Sequence, residues 1–336
     1  MEYIDKNLKI KPSRGNRMYP ILTDLCNKKL VFFKKGHVGA VFLYKINISG
    51  KQKQVLVKKT IVSKKSCNEA NITIKINELM NKKKLPDLFG KVYLVYKCKF
   101  SDFSEYYWGS KKDYKKKPDN YIFIIDKYEE PIWKELDSTN IKRVKSVVIM
   151  LLIAVWHMNH NGNIYHDDIV AGKSHKLVIN NVLLEKSKKK SMRCHMLDPN
   201  KKINIKLYGY KIRIIDFGQA CFKDIYIDNF DSKNIKSASI NKFYKKNDYF
   251  KKFKFKSEIV YIIKCLLSYW KVNSLLKIDS ILYKYYTDIS KKHKDLHKFD
   301  EEVVYDFNKN FVKIIRIFSN EWPNPPYFTK LQSVRT

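Results

Sequence analysis

The sequence predicts an α+β fold in two lobes, a small antiparallel sheet carrying one helix and a mainly helical, reduced second lobe. Three observations predict it. The first third of the chain is built of short β-branched and aromatic runs, a single stretch of helical period interrupts them, and after Pro131 the apolar period becomes helical. Strands are expected over Leu30 to Phe33, Ala40 to Ile48, Gln54 to Val57, Lys91 to Tyr96 and Tyr121 to Ile125, giving a five-stranded sheet. Between the third and fourth, Ser66-Cys67-Asn68-Glu69 reads as a capping box, followed by Ile72, Ile76, Leu79 and Met80 at helical spacing. Later helices are expected over Asn140 to Asn159, over Ser257 to Trp270, and in Lys-rich segments from Ile278 to Phe318. The organisation that follows is an N-terminal extension over 1–29, a first lobe over 30–127 and a second over 128–336, with inserts at 169–180 and 185–210.

Composition narrows the function classes. With 44% apolar residues, 14% aromatic residues, 10 Gly and 9 Pro in 336 residues, the chain is globular rather than disordered or fibrous. Its formal net charge of +35 favours anionic partners, but the 68 cations include only seven Arg and accompany an excess of Ile, Asn and Tyr, the signature of AT-rich codon usage. The six scattered cysteines show no C-x-x-C pair, so they read as reduced thiols of an intracellular protein rather than a zinc site or disulfide framework. Met1 to Lys11 has no apolar run, so no secretory signal is expected. The apolar run Val147 to Val155 is a buried helix, too short for the roughly 20 residues of a membrane span.

The residues able to carry chemistry stand in a fixed order. Lys211 to Ile215 is a β-rich run delivering Asp216 into Phe217-Gly218; upstream stand His166-Asp167-Asp168 at the end of the apolar helix and Asn181 before Val182-Leu183-Leu184. Near the front, Gly36-His37-Val38-Gly39-Ala40-Val41 is a small-residue turn between strands, and Lys58 closes Val55-Leu56-Val57 seventeen residues after Val41. This ordered set resembles the glycine-rich loop, V-A-I-K strand, catalytic loop and D-F-G segment of the protein kinase superfamily, so the two-lobed fold is read as protein-kinase-like.

The resemblance implies a role for each position. Gly36, Gly39 and Val41 would cover the phosphates of ATP, with Lys34 standing where the family has its first Gly. Lys58 would neutralise phosphate charge, its rotamer set by Glu69 or, failing that, Glu78. The backbone at Asp126 and Tyr128 would meet adenine. Asn181, rather than its neighbour Asn180, and Asp216 would hold Mg²⁺, with Mn²⁺ as an alternative. Asp168 would be the catalytic base, with Lys58 the second catalytic residue and His166 structural. The implied activity is that of a serine/threonine protein kinase taking the γ-phosphate of ATP to a protein hydroxyl. Two rivals stay open: a small-molecule or lipid kinase of the same superfamily, and an inactive basic kinase-like module binding nucleic acid or anionic membrane.

Departures from the family pattern are equally specific. Asp168 and Asn181 are thirteen residues apart where the family has five, the Lys expected two after the Asp is replaced by Val170, and Asp167 stands in place of an Arg that reads a phosphorylated activation loop. No A-P-E follows, and Ser257-Glu258-Ile259-Val260 is only a faint counterpart of the later helix that bears a buried Asp. A long catalytic loop, a short second lobe and AT-rich coding together resemble kinases of poxviruses and other large cytoplasmic DNA viruses, which implies action in the cytoplasm or packaging in a virion. Lys-rich stretches, including Lys111 to Lys117 and Lys188 to Lys190, read first as solvated faces and second as weak contacts for nucleic acid or anionic membrane.

Overall fold

A computed structural model of the chain describes residues 3–4, 25, 30–35, 39–48, 51–98, 119–128, 130–136, 138–173, 176–195, 202–222, 258, 262, 265–266 and 269. The chain divides into two compact units, one formed by Met1–Lys82, Gly90–Tyr128 and Phe217–Ala220, the other by Lys83–Phe89, Glu129–Asp216 and Cys221–Thr336.

The first unit is an antiparallel sheet with one helix. Its strands are β1 (Tyr3–Ile4), β2 (Val31–Lys35), β3 (Gly39–Ile48), β4 (Lys51–Ile61), β5 (Val92–Cys98) and β6 (Asn120–Asp126), in the order β1-β5-β6-β4-β3-β2. The expected sheet had five strands; the sixth is β1, whose Tyr3 and Ile4 pair with Val95 and Leu94. Two residues are too few for a periodic signal, so sequence alone could not reveal it. The strand alternation puts Ile122 and Ile124 into one core with Phe42, Val55, Val57 and Leu25, and Tyr121 and Phe123 into another with Val95 and Ala70. A register shift between Val92 and Leu94 re-aims β5, so that Val92 and Leu94 join opposite cores.

Helix α1 (Lys64–Asn81) begins earlier than its expected cap. Ser63, not Ser66, is the N-cap: its Oγ accepts from the Ser66 N–H at 3.2 Å, and its own N–H donates to Ser66 Oγ at 2.8 Å. Ser63 and Ser66 share the three-residue spacing of Ser66 and Glu69, and the two intervening Lys residues hid the earlier start. The correction matters, because a carboxylate taken up by a cap would be lost to other partners.

The second unit carries β7 (Glu130–Pro131), α2 (Trp133–Leu136), α3 (Ile141–Asn161), β8 (Ile164–Tyr165), β9 (Val170–Lys173), β10 (Lys176–Ile179), β11 (Val182–Lys186), β12 (Ser191–His195), β13 (Lys202–Lys206), β14 (Tyr210–Ile214) and β15 (Cys221–Phe222). Helix α3 is apolar around its circumference and buried from Val147 to Val155, as a core helix must be; Asn140 Oδ1 caps it through the Arg143 N–H at 3.2 Å. This part was expected to be mainly helical. Among the described residues it holds nine strands, four of them in the two expected inserts, which are the hairpins β9–β10 and β12–β13. Of the later helices, Glu258, Ile262, Cys265 and Leu266 are described as helical, and all four are buried at the spacing of one helix face; the segments from Ile278 to Phe318 lie outside the described residues, as does the Lys111 to Lys117 run.

Among the described residues no helix is long and apolar enough to cross a membrane. Cys67, Cys194, Cys221 and Cys265 are not disulfide-bonded. Cys98 departs from the expectation of six reduced cysteines: it is disulfide-bonded.

Candidate functional site

In the first unit the site residues sit where β3, β4 and α1 meet. Val41 and Lys58 are Cα partners across β3 and β4. The Lys58 Nζ lies 2.5 Å from Glu69 Oε1, with side-chain exposures of 16% and 5%. A pair this buried and this close holds the ammonium in one place. Glu78 is exposed on the same helix. Lys59, the next residue along β4, is buried with its Nζ 5.7 Å from the centroid of the Phe42 ring, and burial lowers its pKa to about 8.

Gly39 is demanded by close approach. A Cβ there would lie 2.1 Å from the Lys59 carbonyl oxygen and 2.9 Å from Thr60 Cγ2. Gly39→Ala should therefore part β3 from β4 one residue away from Lys58 and destabilise the protein by about 1–3 kcal/mol, read as a lowered denaturant midpoint. Gly36 lies outside the described residues. At the end of β6, Asp126 accepts from the Tyr93 hydroxyl at 2.8 Å and pairs with Lys53 Nζ at 2.7 Å, while its N–H donates to the Lys91 carbonyl at 3.0 Å. The Tyr128 hydroxyl accepts from the Lys91 N–H at 2.9 Å, which fixes the chain leaving the strand. Phe217 is buried in this unit, and the Asn68 amide of α1 donates to the Ala220 carbonyl at 2.7 Å.

In the second unit the insert between Asp168 and Asn181 resolves into a closed hairpin. Val170 pairs with Ile179, and the Asn180 N–H donates to the Ile169 carbonyl at 2.7 Å, so the ends of the insert return to one point. The Asn181 Nδ2 then reaches Asp168 Oδ2 at 2.8 Å and the Asp168 carbonyl at 3.2 Å. With its amide nitrogen committed to Asp168, Asn181 keeps its Oδ1 for another partner. The Ile215 N–H donates to the Asn181 carbonyl at 2.9 Å, tying the start of β11 to the residue before Asp216.

Asp167, Asn181 and Asp216 have positive φ of 60°, 54° and 59°, a region that costs most side chains energy but that Asn and Asp tolerate. His166 is fully buried, and its Nε2 donates to the Ile215 carbonyl at 2.8 Å. Burial lowers its pKa, so the ring is a neutral brace. Asp216 is exposed. Among the described residues no three His, Cys, Asp or Glu side chains cluster for a metal. Asn181 and Asp216 offer hard oxygen atoms of the kind Mg²⁺ takes when substrate phosphates and water complete its shell, so the donor set fits that ion.

Sequence reasoning undervalued Glu258. Its carboxylate is buried, accepts from the His166 N–H at 3.0 Å, the Asp167 N–H at 3.0 Å and the Asn159 amide at 2.9 Å, and so holds the backbone leading into Asp168. Burial pushes its carboxyl up to about 7, against the downward pull of these three donors. A second group that sequence reading passed over is Asp87, paired with Lys211 and Arg213, with Glu185 2.6 Å from Arg213 Nη2. That cluster fastens the 83–89 segment to β14, the strand that delivers Asp216.

No family model matches the chain, and no curated protein matches it. Among solved structures it is similar to the autoinhibited serine kinase domain of the giant muscle protein titin, at 15% identity and a TM-score of 0.34. The similarity covers 57% of this chain and 44% of that one, so the chain spans less than half the length of the structure it matches.

Proposed function

We propose that the chain is an ATP-dependent serine/threonine protein kinase that transfers the γ-phosphate of ATP, with Mg²⁺, to a protein hydroxyl. The observation that supports this reading most is the 2.8 Å hydrogen bond between Asn181 and Asp168. The largest departure from the kinase pattern is the thirteen-residue gap, and a hairpin closed at its base removes that objection without moving either side chain from its partner.

On this reading Lys58, held by Glu69, binds phosphate oxygens, while Gly36, Gly39 and Val41 cover them and the backbone at Asp126 and Tyr128 meets the base. Asn181 and Asp216 would hold Mg²⁺, which when bound neutralises charge on the phosphates. Asp168 orients the acceptor hydroxyl and takes its proton, and the amide of Asn181 fixes which carboxylate oxygen is turned away from the acceptor.

The test is transfer of labelled γ-phosphate from ATP to a generic protein acceptor by wild type and Asp216→Asn, with ATP binding measured with and without Mg²⁺. Loss of transfer by at least about 10²-fold, together with loss of the Mg²⁺ effect on ATP binding, is expected. Transfer at the wild-type rate by the variant would overturn the assignment of Asp216. ATP-dependent labelling of a small-molecule acceptor, with no labelling of protein, would replace the acceptor class.

A further inference from the structure

We infer that the β12–β13 ribbon is a docking surface for nucleic acid, engaged through the phosphodiester backbone without sequence preference. This goes beyond phosphoryl transfer and does not depend on it. The ribbon separates its residues cleanly by face. Met192 and Ile205 are cross-strand partners, and Cys194 and Ile205 are buried, so this face belongs to the unit's core. On the other face Ser191 pairs with Lys206 and Arg193 with Asn204, and all four are exposed. Immediately before the ribbon, Lys188, Lys189 and Lys190 are exposed as well.

The surface is rigidly mounted. Ser146 of α3 donates to the Lys206 carbonyl at 2.5 Å, the Leu207 N–H donates to the Lys190 carbonyl at 3.0 Å, and Arg143 donates to the Tyr208 carbonyl at 3.3 Å. A charged tail would spread its charges by self-repulsion; here the strands hold them in register.

The charge on this face is uncompensated. Among the described residues no ion pair involves Lys188, Lys189, Lys190, Arg193 or Lys206, whereas the neighbouring cations Lys211 and Arg213 are buried against Asp87 and Glu185. Alternate residues along a strand stand about 6.8 Å apart, the rise of two nucleotides in one strand of a duplex. Ser191 and Asn204 between the cations add neutral donors of the kind that meet phosphate oxygens. Among the described residues, none of the exposed large apolar side chains, Val31, Phe32, Phe33 and Trp133, lies on the ribbon, so its described strands lack the residues that enter an acyl layer or stack on bases. A nucleic-acid backbone fits this surface better than a membrane does.

The test uses the full chain and a fluorescent DNA duplex of about 20 base pairs, with anisotropy followed between about 50 and 200 mM salt. Replacing Lys188, Lys189, Lys190, Arg193 and Lys206 by Ser should lower affinity at least about 10-fold and reduce the salt slope by up to about 4. A control variant with Lys45, Lys51, Lys75, Lys82 and Lys84, all exposed, changed to Ser removes the same charge elsewhere and should keep most of the binding. A second variant limited to Lys188, Lys189 and Lys190 spares the strands, should fall between the two, and carries the test if the five-site variant does not fold. Equal losses in the ribbon and control variants would overturn the proposal in favour of bulk charge. Unmeasurable duplex binding by wild type would overturn it outright. Binding to phosphatidylserine vesicles that is lost in the ribbon variant while duplex binding is unchanged would assign the surface to a membrane instead.

Discussion

Asp168→Asn is expected to slow γ-phosphate transfer by about 10²–10⁴-fold while leaving ATP affinity within about twofold, which single-turnover labelling and equilibrium nucleotide binding measure separately. The variant is close to isosteric, and its amide oxygen can still accept from Asn181 Nδ2, so the fold around the hairpin base should survive. On the proposed reading it removes proton affinity at the atom that faces the acceptor. The neighbouring carboxylate gives a register control. Asp167 has its N–H on Glu258 and a φ of 60°, a conformation that Asn also tolerates, so Asp167→Asn should retain most of the activity. If Asp167→Asn loses transfer and Asp168→Asn does not, the base has been assigned one residue out of place.

Strands β3 to β6 were legible because each buries one face or both, and burial leaves a period in the sequence; β2, whose Val31, Phe32 and Phe33 are exposed, was legible only from its β-branched and aromatic composition. Lys58 and Glu69 came from the resemblance to the kinase motifs rather than from a period, and Lys58 lies within β4, three residues before its end at Ile61. What escaped was set by contacts that leave no local pattern. The pairing of β1 with β5 depends on a backbone edge formed some 90 residues later. The first cap was hidden because Ser63-Lys64-Lys65-Ser66 and Ser66-Cys67-Asn68-Glu69 offer the same spacing, and only tertiary structure decides which serine turns its hydroxyl to the helix. That decision also explains why Glu69 is available to Lys58. The sequence between Val170 and Ile179 carries no strong turn dipeptide, so it showed only an over-long loop. Asp87 looks like any turn carboxylate until Lys211 and Arg213, more than 120 residues away, are seen to face it.

Glu258 sets the second large effect, on stability. Glu258→Ala would leave the N–H groups of His166 and Asp167 and one donor of Asn159 buried without their acceptor, a loss of about 3–5 kcal/mol measured by denaturant unfolding. Its titration has a definite sign. The folded carboxyl is raised to about 7 from an ordinary 4.5, chiefly by burial and also by the nearby charge of Asp167, so the native state binds the proton more tightly than the unfolded chain. The contribution is full below pH of about 4.5, declines as the pH rises and is gone above about 7, a swing of about 3 kcal/mol. Glu258→Gln should flatten that part of the stability profile. Its amide oxygen can accept from His166 and Asp167, but its amide nitrogen would face the Asn159 Nδ2, which cannot turn away because it also donates to the Ile164 carbonyl at 2.8 Å. Gln should therefore cost roughly 1–2 kcal/mol at neutral pH, less than Ala. A stability profile of Glu258→Gln that still falls by the full amount between pH of about 4.5 and 7 would assign the titration to another group. If both variants unfold at the wild-type midpoint, the carboxylate is not what holds the backbone entering Asp168.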